Sequence, residues 1–208
     1  MHPKINLDVV LLAWFCIMLI LCACWCRGQR VMLNMGSYNV LYDSALLIPV
    51  TADWIIMKRL LGKSRREPSW RFREDSRVPA PRATHDDYTN SGFDRGHMVP
   101  AADRSSSISS MKSTFIMTNV CPQVPALNRG PWKKLEDACR NYARHGVPVK
   151  VHVDAVFWNA DTQRIGRHGV AFGSIDQETD EGSVSTIWRN AVYLLIMGIC
   201  PVIVAAYR

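Results

Sequence analysis

The chain has 208 residues, with 25 Lys or Arg against 18 Asp or Glu and a formal net charge of +7. That length suits one domain with an appendage, and the basic balance favours a polyanionic partner, either nucleic acid or an anionic membrane face. Four of the seven cysteines (Cys16, Cys22, Cys24, Cys26) crowd into one apolar stretch. This leaves at most one bridge among Cys121, Cys139 and Cys200, which excludes a disulfide scaffold. No Cys/His spacing suits a zinc site.

The appendage comes first. Val9 to Cys26 contains no charged residue, and at the helical rise it spans about 27 Å, enough for a bilayer core. Lys4 and the free amine precede it, as in a secretory signal or a signal anchor. Arg27 and Arg30 flank the far side, so positive-inside counting leaves the orientation open. Leu21-Cys22-Ala23-Cys24 also resembles a bacterial lipoprotein cleavage box, with Cys24 as the residue to be lipidated. Residues 1–26 are therefore read as a signal peptide or transmembrane anchor, residues 27–30 as a short linker and residues 31–208 as the folded domain.

Within the domain, Tyr38–Tyr42 is predicted as a strand ending at Asp43, and Trp54–Met57 as a second short strand. Residues 62–92 are rich in Arg, Pro, Ser and Asp and are read as long loops. Thr114–Thr118 is predicted as a third strand. Pro131 opens the clearest helix, which runs to about Arg144 and stops at Gly146. Trp132, Leu135, Cys139 and Tyr142 recur on it at helical spacing and should face the core. Val149–Ala155 alternates like a strand with one wet face, and residues 169–175 and 187–197 read as further strands. The uncharged run Ala191–Tyr207 is broken by Gly198 and Pro201, so it is read as a buried strand followed by a turn rather than as a second membrane span. Strands outnumber helices, and a β-β-α order spans residues 93–144.

The chemistry concentrates in Ser91-Gly92-Phe93-Asp94-Arg95-Gly96-His97-Met98-Val99-Pro100-Ala101-Ala102-Asp103. An arginine holds a phosphate through two parallel hydrogen bonds, and a nearby histidine can take a proton from water near neutral pH. Cutting a phosphodiester needs both, together with positive charge for the developing oxyanion and help for the leaving oxygen. His97 is the candidate general base, whereas His2, His85, His145, His152 and His168 lack comparable neighbours. Arg95 either grips phosphate or pairs with Asp94, and Asp94 orients Arg95 or the imidazole. Downstream, Asn128 and Glu136 offer an amide oxygen and a carboxylate, the oxygen donors that suit a hard cation retaining several waters. Taken alone, Asn128 also reads as a helix-entry cap and Glu136 as a solvated charge.

These residues, with Thr118-Asn119-Val120-Cys121-Pro122-Gln123 and Asn128-Arg129-Gly130-Pro131-Trp132-Lys133-Lys134-Leu135-Glu136, resemble the DNA/RNA non-specific endonuclease family in order and spacing. Tyr42-Asp43 and Trp54 extend the resemblance upstream, so that it covers most of residues 31–197. It implies an α+β, ββα-metal fold with a central, mainly antiparallel sheet, here preceded by an N-terminal apolar helix. The roles it implies are His97 as general base, Asn128 as the direct protein ligand of a single Mg²⁺ (or Mn²⁺), and Glu136 as holder of metal-bound water. It also implies Arg95 on the phosphate or shaping the pocket, and Asn119 orienting groups beside the metal site. A second phosphate-binding arginine is expected, with Arg82 fitting best and Arg77 behind it. The stretch Leu46–Ala52 departs from the pattern, lacking the arginine often found between the Tyr-Asp and Trp positions.

The expected activity is hydrolysis of DNA and RNA without sequence preference, since phosphate contacts carry no base information. A non-catalytic, envelope-associated nucleic-acid-binding protein on the same fold is the alternative, and a purely structural membrane protein explains only the leader. The expected location is membrane-anchored or exported, with the domain extracytoplasmic and residues 9–26 in the membrane if uncleaved; a mitochondrial address is the alternative. A homodimer is left open.

Overall fold

The computed structural model describes residues 30–155, 162–173, 191–196 and 203–204. The apolar leader and its expected helix lie outside these residues. Strands β1 (Arg30–Asn34), β2 (Tyr38–Asp43) and β3 (Ile48–Ile56) form a meander. They are followed by β4 (Asp94–His97), helix α1 (Ile108–Ser113), β5 (Val120–Gln123), helix α2 (Lys133–Arg144) and β6 (Val149–Asp154). Four short strands complete the described chain: β7 (Thr162–Ile165), β8 (Val170–Gly173), β9 (Ala191–Ile196) and β10 (Ile203–Val204).

The main sheet runs β1-β2-β3-β6-β9-β10, while β4-β5 and β7-β8 form separate two-stranded ribbons. Every named pairing is antiparallel. The sheet's inner face comes from alternate residues, Val40 and Tyr42 on β2, Ala52, Trp54 and Ile56 on β3, and Val149, Val151 and Val153 on β6, all buried in one core. The predicted order β4-β5-α2 is present, as are β2, β6 and the stop of α2 at Gly146, whose φ of +90° lies in the left-handed region.

The boundaries move in four places. Strand β3 begins at Ile48, six residues before the predicted start. Pro49 pairs with Tyr42 at a register shift, where a missing N–H is tolerated. The expected strand over Thr114–Thr118 is instead a buried connection with a 3₁₀ turn at Met117–Asn119 and one parallel bridge, Arg73 to Ile116. Phe115, Ile116 and Met117 are all buried, so this run lacks the alternation of a one-sided strand. Thr114 Oγ1 donates locally to Met111 O, and Thr118 Oγ1 reaches across to Asp75, 43 residues away.

The helix expected from Pro131 has a more complex entry. A helical turn at Pro125–Leu127 leads into a wide turn over Asn128–Trp132, broken at Gly130 (φ −108°, ψ −110°), and regular α-helix starts at Lys133. Tyr142 does not face the core; it is 47% exposed, and Ala143, four residues after Cys139, takes the inward place. The strand expected over residues 169–175 is β8, with Ile175 outside the described residues. In the last apolar run, β9 and β10 pair with each other, and the residues between them lie outside the described chain.

Candidate active site

His97 ends β4, opposite Val120 of β5. Phe72 lies 4.8 Å from its ring in a tilted stack and Phe115 4.9 Å away edge-on. Both phenylalanines are buried and come from outside the ribbon. Their apolar walls disfavour the imidazolium, and the Arg66 charge adds to this, so the imidazole is pushed down to about 3. His97 Nε2 has no hydrogen-bond partner among the described residues. Burial thus keeps the ring in its neutral form, with Nε2 itself enclosed.

Arg95 lies two residues earlier on the same strand, where side chains share a side. It does not pair with Asp94. Its Nε and Nη2 donate to His85 O at 2.9 and 2.8 Å, and Nη2 also donates to Thr89 Oγ1 at 3.0 Å. This leaves the Nη1 amino group for a ligand. His85 belongs to a short 3₁₀ turn (His85–Tyr88) in which buried Asp87 accepts from Thr84 and from the His168 backbone and ring. Residues 62–92, read as loops, therefore form the frame that aims Arg95.

Asp94 instead serves Asn128. Its carboxylate receives two bonds from Arg129, at 2.8 and 2.6 Å, and one from Asn128 Nδ2 at 2.9 Å. Burial raises its pKa, but these hydrogen bonds outweigh that and hold it below the usual range. A carboxylate only accepts, so the Asn128 amide nitrogen is committed and its oxygen is the end available to a hard cation.

Glu136 sits in the first turn of α2, 3.6 Å from Arg140. Burial pushes its carboxyl up to about 8 against the Arg140 charge, with Asp103 and Asp137 adding to the rise. Arg140 is shared: it also bonds Asp103 at 2.8 Å and Asp137 at 2.7 Å. A partly buried carboxyl held up in this way is one that a divalent cation would restore to the charged form. The oxygen of Asn128 and this carboxyl therefore fit a magnesium-like ion in donor type, and among the described residues no cluster of three or more His, Cys, Asp or Glu offers another metal site.

The other expected residues fall into place differently. Asn119 is wholly buried, and its amide is fully used by backbone: Oδ1 accepts from Val99 N–H, and Nδ2 donates to Val99 O and Thr114 O. It acts by fixing the chain just after His97. Arg82 donates Nε to Val78 O. Arg77 is held in a two-bond pair by Asp75 at 2.8 and 2.6 Å. A further arginine near His97, not singled out in the sequence, is Arg66. It is exposed, lies 5.1 Å over the Phe115 ring, and its charge acts on His97, Arg95 and His85. It sits in an Arg-rich stretch of low complexity in pattern, so only the packing of Phe115 against His97 singles it out.

A β-hairpin ribbon carrying a histidine, followed by a helix carrying an acid, with an asparagine at the helix entry, defines the ββα-metal class of fold. The family model for DNA/RNA non-specific endonuclease matches residues 26–175, and the chain belongs to that family. Human mitochondrial endonuclease G is 44% identical over 138 residues, covering 62% of this chain and 44% of that protein. A nuclease of Nostoc sp. is 41% identical over 101 residues, covering 46% of this chain and 36% of that protein. The chain thus spans less than half the length of these relatives. The crystal structure of an EndoG/EndoGI complex superposes with a TM-score of 0.64 at 22% identity, covering 71% of this chain and 66% of that one, which establishes the shared fold.

Proposed function

We propose that this protein is a metal-dependent endonuclease that hydrolyses phosphodiester bonds of DNA and RNA without sequence preference. The observation that carries this reading is the placing on one strand of His97, a neutral imidazole, and Arg95, a guanidinium held by His85 with its Nη1 group unused. His97 takes a proton from water as it attacks phosphorus. Arg95 holds a phosphate oxygen from a fixed position, and Arg66, rather than Arg82 or Arg77, supplies the second cationic contact. Asn128, aimed by Asp94, and Glu136 hold a single Mg²⁺ or Mn²⁺. When bound, that ion supplies positive charge to the developing phosphorane and the leaving oxygen. A protein that only bound nucleic acid would have no use for an imidazole kept in its basic form, which disfavours the non-catalytic alternative.

The address follows from the apolar stretch of residues 9–26, read as a membrane anchor, an export signal or an organelle leader. Several relatives are named as mitochondrial, which supports the organelle over an extracytoplasmic location. Among the described residues no helix is long and apolar enough to cross a membrane.

The test is digestion of plasmid DNA and of RNA by the chain, with Mg²⁺ or EDTA, beside His97→Ala. Cutting of both polymers that needs the metal and falls by several orders of magnitude in His97→Ala is expected. Equal cutting in EDTA, or full activity of His97→Ala, overturns the mechanism.

A further inference from the structure

A concavity of ≈ 380 Å³ is lined by Asn34, Met35, Arg73, Arg77, Ser113 and Ile116. Phe72 and Arg73 are neighbours in extended chain, pinned by Arg73 N–H to Phe115 O at 3.2 Å and Met117 N–H to Arg73 O at 2.9 Å. Successive side chains of such a segment leave on opposite sides. Phe72 packs on His97, while Arg73 is exposed at the cavity wall.

The lining contains two guanidiniums and no carboxylate. Arg77 is held rigid by Asp75 and by Asn34 O at 3.3 Å, which leaves one N–H of Nη1 unused. Asn34 Oδ1 accepts from Gly36 N–H at 2.7 Å, so its free end is the NH₂ donor. The Arg73 side chain has no hydrogen bond or ion pair with the described residues. Behind the wall, buried Tyr38 donates to Ser113 O at 3.2 Å. Arg104, wholly buried, sends its hydrogen bonds only to uncharged oxygens: Ser37 Oγ, and the carbonyls of Ser37, Ile55 and Asp103. The charges of Arg77, Arg104 and Arg73, opposed by that of Asp75, all act on the Tyr38 phenol.

We propose that this cavity is a second phosphate-binding site, separate from the His97 face, which takes the phosphate of a free nucleotide or of a nucleic-acid strand. Its volume lies in the range of small-molecule sites, and the free donors are of the kind that match phosphate oxygens. The choice of phosphate among anions rests on the proposed nuclease function.

The experiment is equilibrium binding to the full chain carrying His97→Ala, in EDTA, with inorganic phosphate, a mononucleotide and a short labelled oligonucleotide as probes. Arg73→Gln, at an exposed side chain, is expected to weaken binding about tenfold, with Arg73→Lys retaining most of the affinity. Loss with the mononucleotide identifies a free nucleotide as ligand; loss confined to the oligonucleotide identifies the strand. Binding by Arg73→Gln equal to that of its parent, or loss of all binding in Arg66→Gln, overturns the proposal. No cleavage is read, so a wild-type chain that binds but does not cut defeats the nuclease reading alone.

Discussion

Asp103, at the end of the motif that carries His97, is a residue whose removal should cost the fold heavily. Both oxygens are engaged, Oδ1 by Arg140 Nη1 at 2.8 Å and Oδ2 by Trp54 Nε1 at 2.7 Å. The Arg140 and Asp103 side chains are only 4% and 1% exposed. Asp103→Ala leaves a buried guanidinium without its main counter-charge and a buried indole N–H without an acceptor. Breaking one half of such a pair costs about 3–5 kcal/mol, and in a chain of this size each kcal/mol moves Tm by roughly 2–4 °C. The expected fall in Tm is therefore roughly 6–20 °C, followed by circular dichroism at neutral pH. Burial raises the Asp103 carboxyl even against the Arg140 charge, so desolvation consumes much of what the pair gains. Asp103→Leu combined with Arg140→Met should for that reason be less damaging than Asp103→Leu alone. A change of less than about 2 °C in Asp103→Ala, below the range set by such pairs, refutes the reasoning.

Three further outcomes are expected. With its imidazole held down at about 3, His97 stays neutral in the fold while the unfolded chain protonates below about 6.5; stability from this group is thus lost as pH falls from 6.5 towards 3. The pH–rate profile should accordingly show no acid limb near 6.5 from the base, and Phe115→Ala, which wets the ring, should bring that limb up; an unchanged profile in the variant speaks against the apolar box. Asp94→Ala frees the Asn128 amide and should raise the Mg²⁺ needed for half-maximal cutting by about 10–100-fold, read by metal titration, with an unshifted titration counting against the positioning role. In Gly96→Ala the new Cβ would stand 2.2–2.4 Å from the side chain of fully buried Gln123, a clash worth about 1–3 kcal/mol, and denaturant unfolding that matches wild type would show that Gln123 yields.

The elements legible in the sequence are those whose pattern is local. Strands β2 and β6 alternate, and α2 carries its apolar stripe and its glycine stop, so these three are legible directly, whereas the strand expected beside His97 at Thr114–Thr118 lies instead at Val120–Gln123. What escaped depends on tertiary context. Pro49 masks the start of β3 because its register shift is a property of the pairing with β2. Phe115, Ile116 and Met117 look like a strand but are enclosed on all sides. The candidates His97, Asn128 and Glu136 stand out by motif and spacing, whereas the groups around them do not: Asp94 reaches a residue 34 positions away, and Arg66 lies over a ring that itself packs against His97.

The long segment before β4 has a consequence for how the molecule comes apart. Residues 62–92 contain little regular structure, yet Trp70, Phe72, Asp75, Val78, Ala83, Asp87 and Tyr88 are each buried. Through them the segment walls His97 and braces Arg95, while sharing few of the ladder bonds that tie the main sheet together. The apolar ones among these buried residues belong to the same core as the sheet, so site and scaffold should come apart together on heating, the chemistry vanishing as the strands unpair.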